Sequence, residues 1–354
     1  MKRGKRGIIY WFSISSLILL AGFILGGCNQ EGKSKEDEKA VNIFNWSQYI
    51  PDHVIEKFEE ETGIKVNYDT YASNEEMYAK LSAGQSGYDV VVPTLYYLEI
   101  MEKQGMLEKI NKDNLPHLKN IDQDFMGLYV DPKNDYSVPF MWGTGIIAVN
   151  EKLIDKEVTG YKDLFDPQFK NSIVASDDMR FVLGAMLAME GNDPNTQDEK
   201  QIEEAGKRMK ELLPNIKLFD NESPKTVLAN NEVKAGILYG GEAILAQREN
   251  PDIKLVLPKE YLLLWQENLV IPKGAPHKEN AEKFIDFLLQ PEISKEITMS
   301  YPYGNPNKEA LKLLPEDLRS LIELPTDELK RGIYAKDVGE ATAIYDRVWA
   351  EVKQ

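Results

Sequence analysis

Cysteine and histidine are scarce in this chain, with one Cys and three His in 354 residues. A lone cysteine excludes an intramolecular disulfide and any multi-cysteine zinc site, and His53, His117 and His277 are isolated, with no HExxH pattern. Basic residues are outnumbered as well. Lys+Arg 42 against Asp+Glu 58 leaves a formal net charge of −16, a field that repels phosphate backbones and argues against nucleic acid as a partner. No fixed-period repeat is present. What remains is an ordinary globular composition, 42% hydrophobic and 28% charged, long enough for one large or two ordinary domains with proper cores.

Only one long apolar run occurs, Ile8 to Leu25, and it follows Lys2, Arg3, Lys5 and Arg6. That order is the charged start and hydrophobic middle of an export signal. The run ends in Leu25-Gly26-Gly27-Cys28, which resembles the lipobox of bacterial lipoproteins. We therefore expect residues 1–27 to be a signal peptide and Cys28 to become a lipidated first residue carrying diacylglyceryl; the alternative is an uncleaved anchor. Cleavage would remove four basic residues and take the net charge from −16 to −20. Residues 28–40 are almost devoid of apolar side chains and read as a solvated tether. The expected location is outside the cytoplasm, lipid-anchored to the membrane.

From Val41 onward, short apolar runs alternate with helical patterns. Strands are expected at Val41–Phe44, Ile64–Tyr68, Tyr88–Val92, Ser172–Ala175, Val233–Tyr239 and Ile253–Val256. Helices are expected at Asp52–Thr62, Glu75–Ala83 with Asn74 as its cap, Arg180–Met189, Glu199–Leu213, Glu242–Arg248, Lys278–Leu289, Pro291–Met299, Asn307–Leu314 and Glu340–Val352. Two α/β units result. Tyr136–Val149 and Tyr261–Ile271 are extended, rich in β-formers and unlike linkers, so they read as strands that cross between the units and serve as a hinge beneath a cleft. Lobe 1 would take residues 41–143 and 265–306, and lobe 2 residues 144–264 and 307–354.

Catalytic patterns are weak. Gly143-Thr144-Gly145-Ile146-Ile147-Ala148 fits the relaxed dinucleotide motif, but it is followed by strand rather than helix, so its glycines read better as sites of close crossing. Ser86 lies among glycines without the strand-to-helix setting of a nucleophile elbow. No cofactor is called for. Aromatic residues, by contrast, gather at the ends of expected strands, where α/β clefts bind ligands: Trp46, Tyr49, Tyr96, Tyr239 and Trp265, with Tyr303 in a similar loop. Carboxylates accompany them at Asp178, Glu242 and Glu267. Positions i and i+2 of a strand share a face, so Trp265 and Glu267 are placed to meet one ligand. Rings and buried carboxylates together suit an organic cation.

Several segments match a known family. Phe44-Asn45-Trp46-Ser47-Gln48-Tyr49-Ile50-Pro51, Asn74-Glu75-Glu76-Met77-Tyr78-Ala79-Lys80-Leu81, Tyr88-Asp89-Val90-Val91-Val92-Pro93, Asn134 to Gly143, Asp177-Asp178-Met179-Arg180 and Asp286-Phe287-Leu288-Leu289-Gln290-Pro291 closely resemble the spermidine/putrescine-binding proteins of bacterial ABC importers. The resemblance spans nearly all of residues 41–354. It implies a two-lobed type II periplasmic-binding fold with two crossing hinge strands, and a monomeric binding protein that hands polyamine to ABC permease subunits. Carried over by residue, the aromatic box falls on Trp46, Tyr49, Tyr96, Trp265 and Tyr303, the amine-binding acids on Asp178 and Glu267, and the hydroxyl contacts on Ser47 and Thr94. Glu242 falls where putrescine-preferring relatives place an acid. Three positions depart from the family pattern: Phe181 stands where spermidine binders carry an acid, Ala335 where they carry Gln, and Glu267 where the better-known members carry Asp, which adds a methylene. The alternatives are a receptor for another organic cation or solute, used in uptake or sensing, and a lipoprotein hydrolase working in the same cleft.

Overall fold

The computed structural model describes residues 39–84 and 86–354. The expected export signal, Cys28 and the expected tether up to residue 38 lie outside the described residues. One ten-stranded mixed sheet organises the chain: β1 Ala40–Trp46, β2 Lys65–Tyr71, β3 Val90–Val91, β4 Ser137–Asn150, β5 Ile173–Ala175, β6 Ile216–Phe219, β7 Ala235–Tyr239, β8 Ile253–Val256, β9 Leu262–Val270 and β10 Gly332–Tyr334. Its spatial order is β2-β1-β3-β9-β4-β7-β5-β6, with β8 added to β4 and β10 to β9. The fold class is α/β, as expected.

The two longest strands carry the architecture. β4 and β9 are antiparallel from Ser137 opposite Val270 to Gly145 opposite Leu263. At one end β9 pairs with β3, and at the other β4 pairs with β7. The parallel set β2-β1-β3 and the parallel set β7-β5-β6 are thus joined through these two crossing strands. All nine residues of β9 are buried, and they include a polar run, Gln266-Glu267-Asn268, at its centre.

Most of the expected helices form, and Leu95–Lys103, Pro224–Ala229, Glu316–Ile322 and Thr326–Arg331 form where none was expected. Asp52–Thr62 buries Val54 and Phe58 and ends at Gly63, whose φ of 66° is the left-handed turn that glycine accepts, with its N–H bonded to Glu59. Met179–Met189 is buried along almost its whole length. Asp89 joins the two sequence-distant sides of the β3 half. Its carboxylate accepts from the Asn42 N–H at 2.8 Å and from the His277 N–H at 2.6 Å, and lies 2.9 Å from His277 Nδ1.

Several expected boundaries move. β1 begins at Ala40, one residue inside the expected tether, because Ala40 pairs with Lys65. β3 is two residues instead of five, since Asp89 is bonded through its side chain and Pro93 has no N–H to offer a ladder. Ser73, not Asn74, caps the helix Asn74–Ser82, its Oγ accepting from the Glu76 N–H at 3.1 Å. The helix expected over 307–314 is confined to Lys308–Leu311, because Pro315 disfavours helical geometry before it. Gly143 and Gly145 lie within β4, so the dinucleotide motif is absent in three dimensions. A Cβ on Gly143 would meet the Trp265 ring at 2.6 Å, and one on Gly145 the Phe181 ring at 2.3 Å. These glycines are seats for aromatic rings.

Candidate functional site

The carboxyl ends of the parallel strands from both halves point toward one cleft, and each delivers a side chain to it. β1 ends at Trp46, whose indole N–H donates to the Val92 carbonyl at 2.9 Å. The turn after β3 places Thr94, the helix Leu95–Lys103 that follows places Tyr96 in its first turn, and the turn after β5 places Asp178. β7 ends at Tyr239, and Glu242 sits in the first turn of the helix Gly240–Glu249. The crossing strand β9 supplies Trp265 and Glu267. Together with Ser47, Tyr49 and Tyr303, these eleven expected residues line a single cavity of about 350 Å³, a size that suits a small ligand.

Its walls are a continuous file of rings. Tyr71 lies 4.8 Å from Trp46, Trp46 6.1 Å from Tyr49, Tyr49 5.6 Å from Tyr303, and Tyr303 5.2 Å from Trp265. The file continues through Tyr239, 5.9 Å from Trp265 and edge-on to it, to Phe181 at 5.4 Å. Tyr303 is seated on Gly241, where a Cβ would lie 2.4 Å from the ring. The cavity therefore presents ring faces and edges along one continuous file.

Set among the rings are carboxyl groups in different states. Glu267 is 3% exposed. Its Oε1 accepts from the Thr94 hydroxyl at 2.8 Å, while Oε2 is buried without a hydrogen-bond partner. Burial pushes its pKa up to about 8, against the lowering by the Thr94 hydroxyl and the neighbouring Trp46 indole, with Asp178 raising it further. Glu242 also has a buried, unpartnered Oε2. Burial raises its pKa, and Lys225 offsets part of that rise. Asp178 is held twice: one oxygen caps the helix Met179–Met189 by accepting from the Phe181 N–H at 2.9 Å, and the other accepts from the Tyr239 hydroxyl at 2.6 Å. Burial pushes up the Tyr49 and Tyr303 hydroxyls, and both also feel Glu267 and Glu242. Isolated buried carboxylates are costly in an apolar setting. A ligand cation brought between them would meet preformed acceptors.

Two further features shape the cleft. Arg180 lines it, yet its guanidinium is directed away, donating to the Lys336 carbonyl at 3.0 Å and to Asn195 Oδ1 at 2.9 Å and lying over the Tyr345 ring. Gln48, at a φ of 56°, reaches from the end of β1 to the opposite side, donating to the Glu222 carbonyl at 3.1 Å and accepting from Lys225 Nζ at 3.2 Å. The residues at the three departures from the family pattern, Phe181, Ala335 and Glu267, all line the cavity.

Sequence reading missed Tyr71, Asn74 and Glu75 as cavity residues. β2 runs three residues beyond its expected end, and the β-forming pair Thr70-Tyr71 was the available signal for it. Asn74 reads as a helix cap, and nothing local in the sequence distinguishes its buried role. Among the described residues, no group of three or more His, Cys, Asp or Glu is arranged to hold a metal ion, and no helix is long and apolar enough to cross a membrane.

Residues 53–326 match the family model described as bacterial extracellular solute-binding protein. The chain belongs to that family. Members bind solutes outside the cytoplasm, so the role of this binding protein is capture rather than catalysis. Its sequence is 39% identical over 340 residues to the spermidine/putrescine-binding periplasmic protein of Salmonella typhimurium, covering 95% of this chain and 97% of that one. A solved structure from Listeria monocytogenes, assigned to spermidine/putrescine ABC transport, is 34% identical with a TM-score of 0.87 and covers 89% of this chain and 99% of that one. A Treponema pallidum lipoprotein of known structure is 29% identical with a TM-score of 0.79, covering 88% and 99%. The fold of this binding protein is accordingly the type II periplasmic-binding fold.

Proposed function

We propose that this binding protein captures a polyamine, spermidine or putrescine, in the cleft and delivers it to an ABC permease. The observation that carries this reading is the pair of buried, unpartnered carboxyl oxygens on Glu267 and Glu242 inside a cavity walled by aromatic rings. Each ammonium group would pair with a carboxylate and lie against ring faces, while the methylene chain packs between rings. The ligand set is Trp46, Ser47, Tyr49, Thr94, Tyr96, Asp178, Tyr239, Glu242, Trp265, Glu267 and Tyr303. Relatives with spermidine and putrescine in their names support the ligand class.

In this reading the lobes comprise residues 41–143 with 265–306 and residues 144–264 with 307–354. The bridge between Trp142 and Gly304 and the packing of Ile244 with Leu314, Leu318 and Ile322 support that division. Deletion of the chain is expected to abolish growth-limiting uptake of labelled polyamine; uptake persisting at the wild-type rate would overturn the transport role.

The protein acts as a monomer in this account, a single species of one-chain mass in light scattering. It is tethered through a diacylglyceryl group on Cys28 after removal of residues 1–27. The lipobox-like Leu25-Gly26-Gly27-Cys28 and the lipoprotein relative support the anchor. Labelled palmitate is expected to enter the wild-type chain and not Cys28→Ser, with equal labelling of both counting against it.

A further inference from the structure

The two oxygens of Glu267 are set apart by a residue that does not touch them. Asn74 is 4% exposed and lies in the first turn of the helix Asn74–Ser82, behind Thr94. Its Oδ1 accepts from the Thr94 backbone N–H at 3.2 Å, which settles which way the amide faces. Its Nδ2 then donates to Thr94 Oγ1 at 2.9 Å and to the Tyr96 hydroxyl at 3.2 Å. A hydroxyl that accepts from Asn74 has its own proton left to donate, and that proton goes to Glu267 Oε1 at 2.8 Å. Oε1 is thereby kept as an acceptor, and when the carboxyl is neutral its proton sits on Oε2, the oxygen without a partner.

We propose that Asn74 is a positioning residue for cation binding: by turning the Thr94 proton onto Glu267 Oε1, it leaves Oε2 to meet a ligand ammonium and to release its proton as that ammonium arrives. The step balances, since the neutral carboxyl loses one proton to solvent and the carboxylate formed pairs with the ammonium. Taking an ammonium as ligand rests on the polyamine reading above. The groups facing Glu267 are Asp178 across the cleft and the hydroxyls of Tyr49, Tyr71 and Tyr303, with Glu242 farther along the cavity. Arg180, the nearby cation, is turned to Lys336 and Asn195. With burial holding Glu267 at about 8, the empty site is mostly protonated at neutral pH.

The test is calorimetry on the full chain with putrescine and spermidine from pH 6 to 9, in buffers of different ionisation enthalpy. The wild type is expected to release about one proton per ligand near pH 7, with affinity rising up to about tenfold per pH unit below pH ~8 and levelling above it. Without its lock, the Thr94 hydroxyl no longer favours the ionised carboxylate. Asn74→Ala should therefore bind about tenfold more weakly at pH 7 yet approach wild type at pH 9, and Thr94→Val should shift the same way. A ligand-free arm follows the urea midpoint from pH 5 to 9. The Glu267-dependent fall with pH, absent in Glu267→Gln, should extend to higher pH in Asn74→Ala. If the wild type binds neither amine while these slopes differ as stated, the ligand reading fails and the relay stands. Loss by one constant factor at every pH, or a wild-type slope in both variants, overturns the relay.

Discussion

Glu267→Gln is expected to weaken polyamine binding about 100-fold while leaving the fold intact. The amide keeps the shape of the side chain and still accepts from Thr94, but it cannot carry the charge that an ammonium needs in a buried site. Removing one partner of a buried charge pair costs about 3 kcal/mol, and 100-fold corresponds to about 2.7 kcal/mol. The same substitution changes the empty protein in the opposite sense. Glu267 has a folded-state pKa of about 8 against an ordinary value of 4.5, so between those values the folded protein holds a proton that the unfolded chain has lost. Stability attributable to this group is fully present below pH ~4.5 and declines as pH rises through about 8. The Gln variant lacks that decline and should be the more stable protein at pH 8 in urea titration. Equal affinity of the variant and wild type for spermidine and putrescine would remove Glu267 from the site.

Trp265→Ala should damage both the fold and the site. The indole is 5% exposed, seated on Gly143 and edge-on to Tyr239 and Tyr303. Deleting it leaves a gap at the centre of the ring file, where truncation of a buried aromatic costs about 3 to 5 kcal/mol of stability. Loss of the ring face beside Glu267 should lower affinity by a further order of magnitude or more, since a desolvated cation gains about 2 kcal/mol over an aromatic ring. Trp265→Phe should recover most of the stability and part of the affinity. Urea unfolding and calorimetry on both variants separate the two effects, and an Ala variant of unchanged affinity would contradict the cation-binding role of the ring.

Much of this was legible because the relevant signals are local. β4 and β9 announce themselves as long runs of β-formers, and the parallel strands end in aromatic or acidic residues that α/β geometry directs into a cleft. That logic brought Trp46, Tyr96, Tyr239, Trp265 and Glu267 to one cavity from four separate stretches of chain. What was not legible depends on partners remote in sequence. β10 is a strand only because Leu262–Leu264 offers it an edge. Asn74 resembles a cap until Thr94 is brought against it, and Gly143 and Gly145 resemble a phosphate loop until Trp265 and Phe181 occupy the space above them. Phe181 is fully buried on Gly145, so the acid absent from this position is replaced by packing, and the acids that remain around the cavity include Glu242 on the Tyr239 side.

The most direct measurement is calorimetric titration of the full chain with spermidine, putrescine, spermine and a neutral diol of matching length. The ion-pair cleft predicts micromolar or tighter binding of at least one amine, equivalent to about −8 kcal/mol, and no heat with the diol, which cannot supply the charge that Glu267 and Glu242 await. Silence with every amine from a folded protein, or equal binding of the diol, would contradict it.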